Sequence, residues 1–139
     1  SPFQLPDVVI VPGNPSTHMY YLPFAERLHK LLQGRFTVRV VSLAGLCTEL
    51  GQSKAWFSME DQISLLAGYL KQLRAEAAAR GNSDQSFIIL AHSIGSFFTT
   101  QLMARYPELR VLHAVLLFPF IRFDLRWYVR GAFSDHEPF

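Results

Sequence analysis

The chain has 139 residues, of which 50% are hydrophobic and 17% charged, which predicts one globular domain with a substantial core. The formal net charge of +2 comes from scattered residues, so a nucleic-acid partner is excluded. A single cysteine, Cys47, excludes an internal disulfide framework and fits a reducing compartment. The sequence contains neither an apolar run of about 18 residues that would span a membrane nor a secretory leader pattern.

Apolar strands and amphipathic helices alternate along the first half of the chain. Val8 to Val11 is a β-branched run between prolines and predicts a buried strand. Apolar residues at helical spacing then predict a helix from Tyr20 to Gln33, and Thr37 to Ser42 predicts a second strand. The N-cap residue Ser58, with acidic residues in the first turn, predicts the start of a long helix. The apolar stripe of that helix is predicted to contain Ile63, Leu66, Leu70, Leu73 and Ala77.

The second half continues the alternation. Phe87 to Leu90 predicts a third strand, Ile94 to Tyr106 a third helix, and Val111 to Phe118 a fourth strand. The order is therefore βαβαβαβ. Strands that are apolar throughout, separated by amphipathic helices, indicate an α/β fold with a mainly parallel sheet and helices on both faces.

The most informative segment is Phe-Ile-Ile-Leu-Ala-His-Ser-Ile-Gly-Ser at residues 87–96, where the chain passes from strand to helix. A serine hydroxyl needs an exposed position, a nearby base and oxyanion donors to become an effective nucleophile. A sharp turn supplies the exposure and requires small residues two places before and after the serine. Ala91 and Gly95 occupy those places around Ser93. Ser93 is therefore the candidate nucleophile; the alternative is a serine that only ends a strand and caps a helix.

An oxyanion hole in such enzymes combines the amide after the nucleophile with one from the loop after an earlier strand. This assigns the donors to Ile94 and Asn14. Gly13, in Pro-Gly-Asn-Pro at residues 12–15, would allow the chain to approach a substrate closely. A plain tight turn requires the same residue types, so both interpretations stay open.

These motifs, in this order, resemble the lipid-droplet-associated hydrolase family. The segments that carry the resemblance are residues 11–15, 20–24, 91–96 and 116–119. The resemblance implies an α/β-hydrolase fold and a serine hydrolase that acts on lipid or sterol esters. It also implies an intracellular location, at lipid droplets or the endoplasmic reticulum. It identifies Ser93 with the nucleophile, His92 and Ile94 with its neighbours in the nucleophile elbow, and Gly13 and Asn14 with the oxyanion loop.

The resemblance runs roughly from Val8 to Ile121 and corresponds to the amino-terminal half of such an enzyme, so residues 1–139 are expected to form a single partial domain. The chain departs from the family pattern in three places. Ala91 replaces the first glycine of the elbow, Ser16 replaces the loop glycine, and Leu-Ala-Gly-Leu at residues 43–46 replaces His-Ala-Gly-His.

The catalytic acid and base are not assigned. In α/β-hydrolases both follow the nucleophile in the chain, and after Ser93 only His113 and His136 remain. We expect His113 to be a core or strand-edge residue and His136 a solvated tail residue. Two hypotheses follow: an esterase whose remaining part holds the acid and base, or a catalytically inactive subunit of a larger or membrane-associated protein assembly. Neither a cofactor nor a metal site is expected.

Residues 120–139 are expected to begin a cap, or lid, or to form a tail. Aromatic and arginine side chains recur there at helical spacing: Phe120, Phe123 and Trp127 on one side, Arg122, Arg126 and Arg130 on the other. Such a helix would suit packing on its own domain, or binding to a phospholipid or lipid-droplet surface.

Overall fold

A computed structural model describes residues 4–14, 16–45 and 57–121. Cys47 and most of residues 120–139 therefore lie outside the described residues, as do His136 and the amphipathic pattern predicted there. The described strands are β1 (Asp7–Val11), β2 (Val38–Val40), β3 (Phe87–His92) and β4 (Val111–Leu117). The α-helices are α1 (Leu22–Leu31), α2 (Met59–Ala79) and α3 (Ile94–Arg105), and short 3₁₀ helices span His18–Tyr20 and Pro107–Leu109.

The described strands form one parallel sheet in the order β2-β1-β3-β4. This confirms the predicted α/β class with a mainly parallel sheet. Val11 at the end of β1 is paired with Ala91 near the end of β3. The loops that follow these two strands therefore leave the same edge of the sheet side by side, where open α/β sheets bind their ligands.

The main core lies between the sheet and the helices α2 and α3. Val9 and Val11 of β1 pack there with Leu70 of α2 and Leu102 of α3. The whole predicted stripe of α2 is buried. Burial of this stripe fixes the long helix on one face of the sheet.

The opposite face is covered by α1. Side chains alternate along a strand, so Val8 and Ile10 point away from the main core. They are paired with Val38 and Val40 of β2, and these two valines line a cleft together with Ala25 of α1. Helices thus cover both faces, as predicted.

Helix α1 is shorter and less covered than the sequence indicates. It spans Leu22–Leu31 instead of Tyr20 to Gln33, because Gln33 turns into the positive φ region at 55°. Phe24 and Leu31 of the predicted apolar face are 43% and 68% exposed. The helix lies over β2, which has only three residues at the sheet edge, and too little surface is available to cover both side chains.

Helix α2 begins with the predicted cap. The Ser58 hydroxyl accepts a hydrogen bond from the Asp61 amide at 3.1 Å, and the Asp61 carboxylate accepts one from the Ser58 amide at 2.7 Å. This reciprocal capping box satisfies donors that the first turn would leave free. Hydrogen bonds from the Ser58 hydroxyl and amide lower the pKa of Asp61.

Strand β4 is the outer strand on its side of the described sheet. Leu112 and Val115 are 49% and 44% exposed. His113 also lies on this strand and is exposed. Of the two positions expected for His113, the core or a strand edge, the structure shows the strand edge.

Among the described helices, none combines the length and the apolar character that crossing a bilayer requires.

Candidate active site

Ser93 occupies the single residue between β3 and α3 and has a strained backbone. Its φ and ψ angles are 51° and −121°. A positive φ is uncommon for any residue other than glycine, and such a conformation costs on the order of 1–3 kcal/mol. Strain of this kind persists where the surrounding structure enforces it, and it is concentrated at functional sites.

The end of β4 holds the Ser93 turn in place. The Ser93 amide donates to the Leu117 carbonyl at 3.0 Å, and the Phe120 amide donates to the Ser93 carbonyl at 3.0 Å. Phe118, between these partners, also has a positive φ of 47°, and its ring meets the His92 ring edge-on with centroids 6.2 Å apart. Two residues with a positive φ, Ser93 and Phe118, therefore lie close together at this edge of the sheet.

Gly95 allows α3 to approach β1 very closely. A Cβ atom at this position would lie 2.7 Å from the Val11 carbonyl oxygen and would also meet the Pro12 carbonyl. Cβ atoms do not come so near to backbone oxygen. The absence of a side chain at Gly95 is therefore required for the position of the helix behind Ser93.

Gly13 brings the loop after β1 against the same turn. A Cβ atom here would lie 2.9 Å from the Cβ atom of Ser93 and 2.7 Å from Nδ1 of His92. The glycine is buried. The loop and the serine predicted as an oxyanion segment and a nucleophile are thus direct neighbours.

Tyr21 is a residue of this site that sequence reasoning missed. Its phenolic oxygen accepts a hydrogen bond from the Gly13 amide at 2.9 Å and lies 2.8 Å from Nδ1 of His92. Tyr20 precedes it in the same quoted motif, and a linear pattern does not show which ring turns inward. The only available signal was a tyrosine placed shortly after the loop.

Asn14 and Ile94 carry the two amides predicted as oxyanion donors. Asn14 is exposed and follows Gly13 directly, whereas Ile94 is half-buried at the first position of α3. Within residues 4–14, 16–45 and 57–121, neither amide donates to a backbone acceptor. Within those residues, neither amide is thus committed to another backbone group.

His92 and Ala91 complete the predicted set. The His92 ring is directed to Tyr21. Ala91 is fully buried and lies between Val11 and Leu116 in the sheet. In the described part of the chain no side chain forms a hydrogen bond with the Ser93 hydroxyl.

The structure shows the surroundings of the described residues at and near the positions where the chain departs from the family pattern. Ser16 is fully buried, and its hydroxyl has no partner among the described residues. Leu43 is part of the main core. Ala44 is fixed by the Gln62 side chain, which accepts from its amide at 3.1 Å and donates to its carbonyl at 2.7 Å. Leu46 lies outside the described residues.

Solved structures define the class of this fold. A structure from the metagenome-derived lipolytic enzymes LipS and LipT matches 95% of this chain and 49% of its own, with a TM-score of 0.64 and 17% identity. The RedJ thioesterase from Streptomyces coelicolor matches 84% of this chain and 42% of its own, with a TM-score of 0.58 and 19% identity. The fold is that of the α/β-hydrolases, and the described part represents a portion of such a domain.

The sequence relatives narrow this class to one family. The model of the lipid-droplet-associated hydrolases matches residues 5–124, and the chain belongs to this family. The human lipid droplet-associated hydrolase is 36% identical over 121 residues, covering 82% of this chain. A relative with the same description in Dictyostelium discoideum is 27% identical over 114 residues. The chain spans 37% of the length of either relative.

Proposed function

We propose that the protein is a serine hydrolase of ester bonds in lipid-like substrates, with Ser93 as its nucleophile. The observation that carries this proposal is the strained turn at Ser93, set directly against the Gly13 loop. This arrangement supports our interpretation of the Ser93 turn as a nucleophile elbow and of the Gly13 loop as an oxyanion loop.

In the proposed reaction the Ser93 hydroxyl oxygen attacks the ester carbonyl carbon. The amides of Asn14 and Ile94 donate hydrogen bonds to the oxygen that becomes negatively charged. Collapse of this intermediate expels the alcohol and leaves an acyl-serine, which water then hydrolyses to the free acid. A histidine base takes the serine proton and returns it to the departing alcohol. We place this histidine and its acidic partner in the remainder of the protein, since relatives of this chain are much longer.

The lipid-like substrate class is supported by the family and by the side chains around the site. The relatives are described as lipid droplet-associated hydrolases, so we place the activity at lipid droplets. Phe118 and Phe120 are 87% and 39% exposed and belong to the segment that holds Ser93. Exposed aromatic rings at this position suit an acyl chain better than a charged substrate.

A fluorophosphonate probe on the full-length protein tests the nucleophile. We expect covalent labelling at Ser93, and we expect Ser93→Ala to lose both labelling and esterase activity. Ser64 is an exposed serine of α2, so Ser64→Ala is the matched control and should be labelled like the unchanged protein. An unlabelled Ser93 in folded protein would overturn the proposal.

A second candidate is an inactive α/β-hydrolase-fold subunit within a larger assembly. It is favoured by the replacement of a family histidine by the core residue Leu43. The same labelling experiment separates the two candidates, because an inactive subunit leaves Ser93 unmodified while the protein is folded.

A further inference from the structure

We infer that Tyr21 is a positioning residue that holds the Gly13 loop against Ser93 by connecting the Gly13 amide to the His92 ring. This inference rests on the proposed function for its catalytic consequence. Its geometric content, a hydrogen-bonded bridge from Gly13 through Tyr21 to His92, can be measured without any activity.

The backbone of Tyr21 is fixed before its side chain reaches the loop. Its amide donates to the His18 carbonyl at 2.9 Å, and its carbonyl accepts from the Ala25 amide at 2.8 Å. Tyr21 is thereby held between the 3₁₀ helix and α1. A half-buried phenol on such a rigid support presents its hydroxyl to Gly13 with little freedom to rotate away.

The hydrogen-bond count assigns a direction to each contact. The Gly13 amide can only donate, so the phenolic oxygen accepts from it. The hydroxyl then has one proton left, and the adjacent Nδ1 of His92 is its acceptor. With this assignment, Nδ1 carries no proton and neutral His92 is protonated at Nε2. The reverse arrangement would leave the phenolic proton without a partner among the described residues.

This bridge has two effects on the proposed oxyanion loop. It occupies the Gly13 amide, which leaves Asn14 as the donor that the loop offers to substrate. It also joins the loop to His92, the residue directly before Ser93. The bridge thereby fixes the position of the Asn14 amide relative to the Ser93 hydroxyl. Without the hydroxyl, a buried amide and a ring nitrogen lose their partner, and the loop has to move to satisfy them.

The kinetic test is Tyr21→Phe in the full-length protein, which keeps the ring and removes only the hydroxyl. We expect kcat for ester hydrolysis to fall about ten- to a hundred-fold, as for small misplacements of catalytic groups, with KM unchanged. The neighbouring Tyr20 is 71% exposed, so Tyr20→Phe is the matched control and should retain the activity of the unchanged protein. A purely structural role would instead lower thermal stability without this separation of kcat from KM.

A second pair of variants tests the bridge from the other side. His92→Asn keeps an acceptor near the position of Nδ1, whereas His92→Ala removes it. We expect the asparagine variant to retain more of the Ser93 labelling rate than the alanine variant. Equal losses in the two variants would contradict a role for the acceptor.

The spectroscopic test does not depend on catalysis. In ¹⁵N NMR spectra we expect Nδ1 of His92 to be the unprotonated nitrogen, and we expect its signal and that of the Gly13 amide to shift in Tyr21→Phe. A protonated Nδ1, or spectra unchanged by the substitution, would overturn the inference. If Ser93 is never labelled but these shifts occur, the proposed function fails and the Tyr21 bridge stands.

Discussion

At Ser93 the backbone is strained, and the strain can be measured as a difference in stability. Glycine tolerates a positive φ whereas alanine does not, so we expect Ser93→Gly to be more stable than Ser93→Ala by about 1 kcal/mol. Neither variant retains the hydroxyl, and neither should react with a fluorophosphonate. Urea unfolding of the two variants gives the comparison. Equal stability would show that the φ of 51° is not maintained in solution.

Gly95 has a different requirement, which is space. Gly95→Ala places a methyl group against the backbone of β1, and we expect the free energy of unfolding to fall by about 1–3 kcal/mol. Gly68, inside α2, has open space around it. Gly68→Ala should therefore raise the free energy of unfolding by about 0.5–1 kcal/mol through better helix propensity. Urea unfolding of both variants should give changes of opposite sign.

The sequence alone predicts Gly95 better than it predicts Tyr21. Small residues flank a serine between a strand and a helix because the sharp turn itself requires them. A single short motif in the sequence therefore shows them. The contact of Tyr21 with His92 joins positions 71 residues apart and depends on the pairing of β1 with β3. Such a contact becomes visible only after the strand order is known.

Among the elements, α2 offers the clearest test of a local signal. Removing the cap with Ser58→Ala should lower the free energy of unfolding by about 1 kcal/mol near neutral pH. Ser64→Ala, in the interior of the same helix, should instead raise it by about 0.5 kcal/mol, because alanine is the better helix former. Chemical denaturation of the two variants separates the effect of losing the cap from the effect of replacing a serine inside the helix.

The same cap predicts a pH dependence. Hydrogen bonds from Ser58 lower the pKa of Asp61 in the folded state, so its ionised form stabilises the fold above the unfolded pKa of about 3.9. That contribution is lost as the pH falls through the folded value. The stability gap between the unchanged protein and Ser58→Ala should therefore narrow below about pH 4. A gap that stays constant down to pH 2 would exclude a role for the carboxylate.

Helix α1 shows where a local pattern is insufficient. Its apolar residues recur at helical spacing, and the helix exists, but Phe24 and Leu31 remain exposed. Periodicity predicts which residues share a face. It does not predict how much of the neighbouring sheet is available to cover that face, and β2 is only three residues long.

For the molecule as a whole, stability should depend on the face of the sheet that carries α2 and α3. Leu70 is fully buried there, whereas Leu65 on the same helix is 49% exposed. Leu70→Ala should lower the free energy of unfolding by about 2–5 kcal/mol. Leu65→Ala should change it by no more than about 0.5 kcal/mol. Similar losses for both variants would place the core elsewhere.

The overall architecture was predictable because each strand and helix carries its own apolar period, and their alternation admits few topologies. Hence the parallel sheet, the helices on both faces and the buried stripe of α2 all agree with the sequence analysis. The order of strands across the sheet was not predicted, since equivalent apolar runs do not specify their neighbours.

The distance along the chain between Tyr21 and His92 has a consequence for biosynthesis. They are separated by 71 residues, and a ribosome adds about 5–20 residues per second, so roughly 4–14 seconds of translation pass between them. During that interval the nascent polypeptide already contains the Gly13 loop but still lacks Ser93. The Gly13 loop and Ser93 can therefore meet only after β3 has been synthesised and has inserted beside β1.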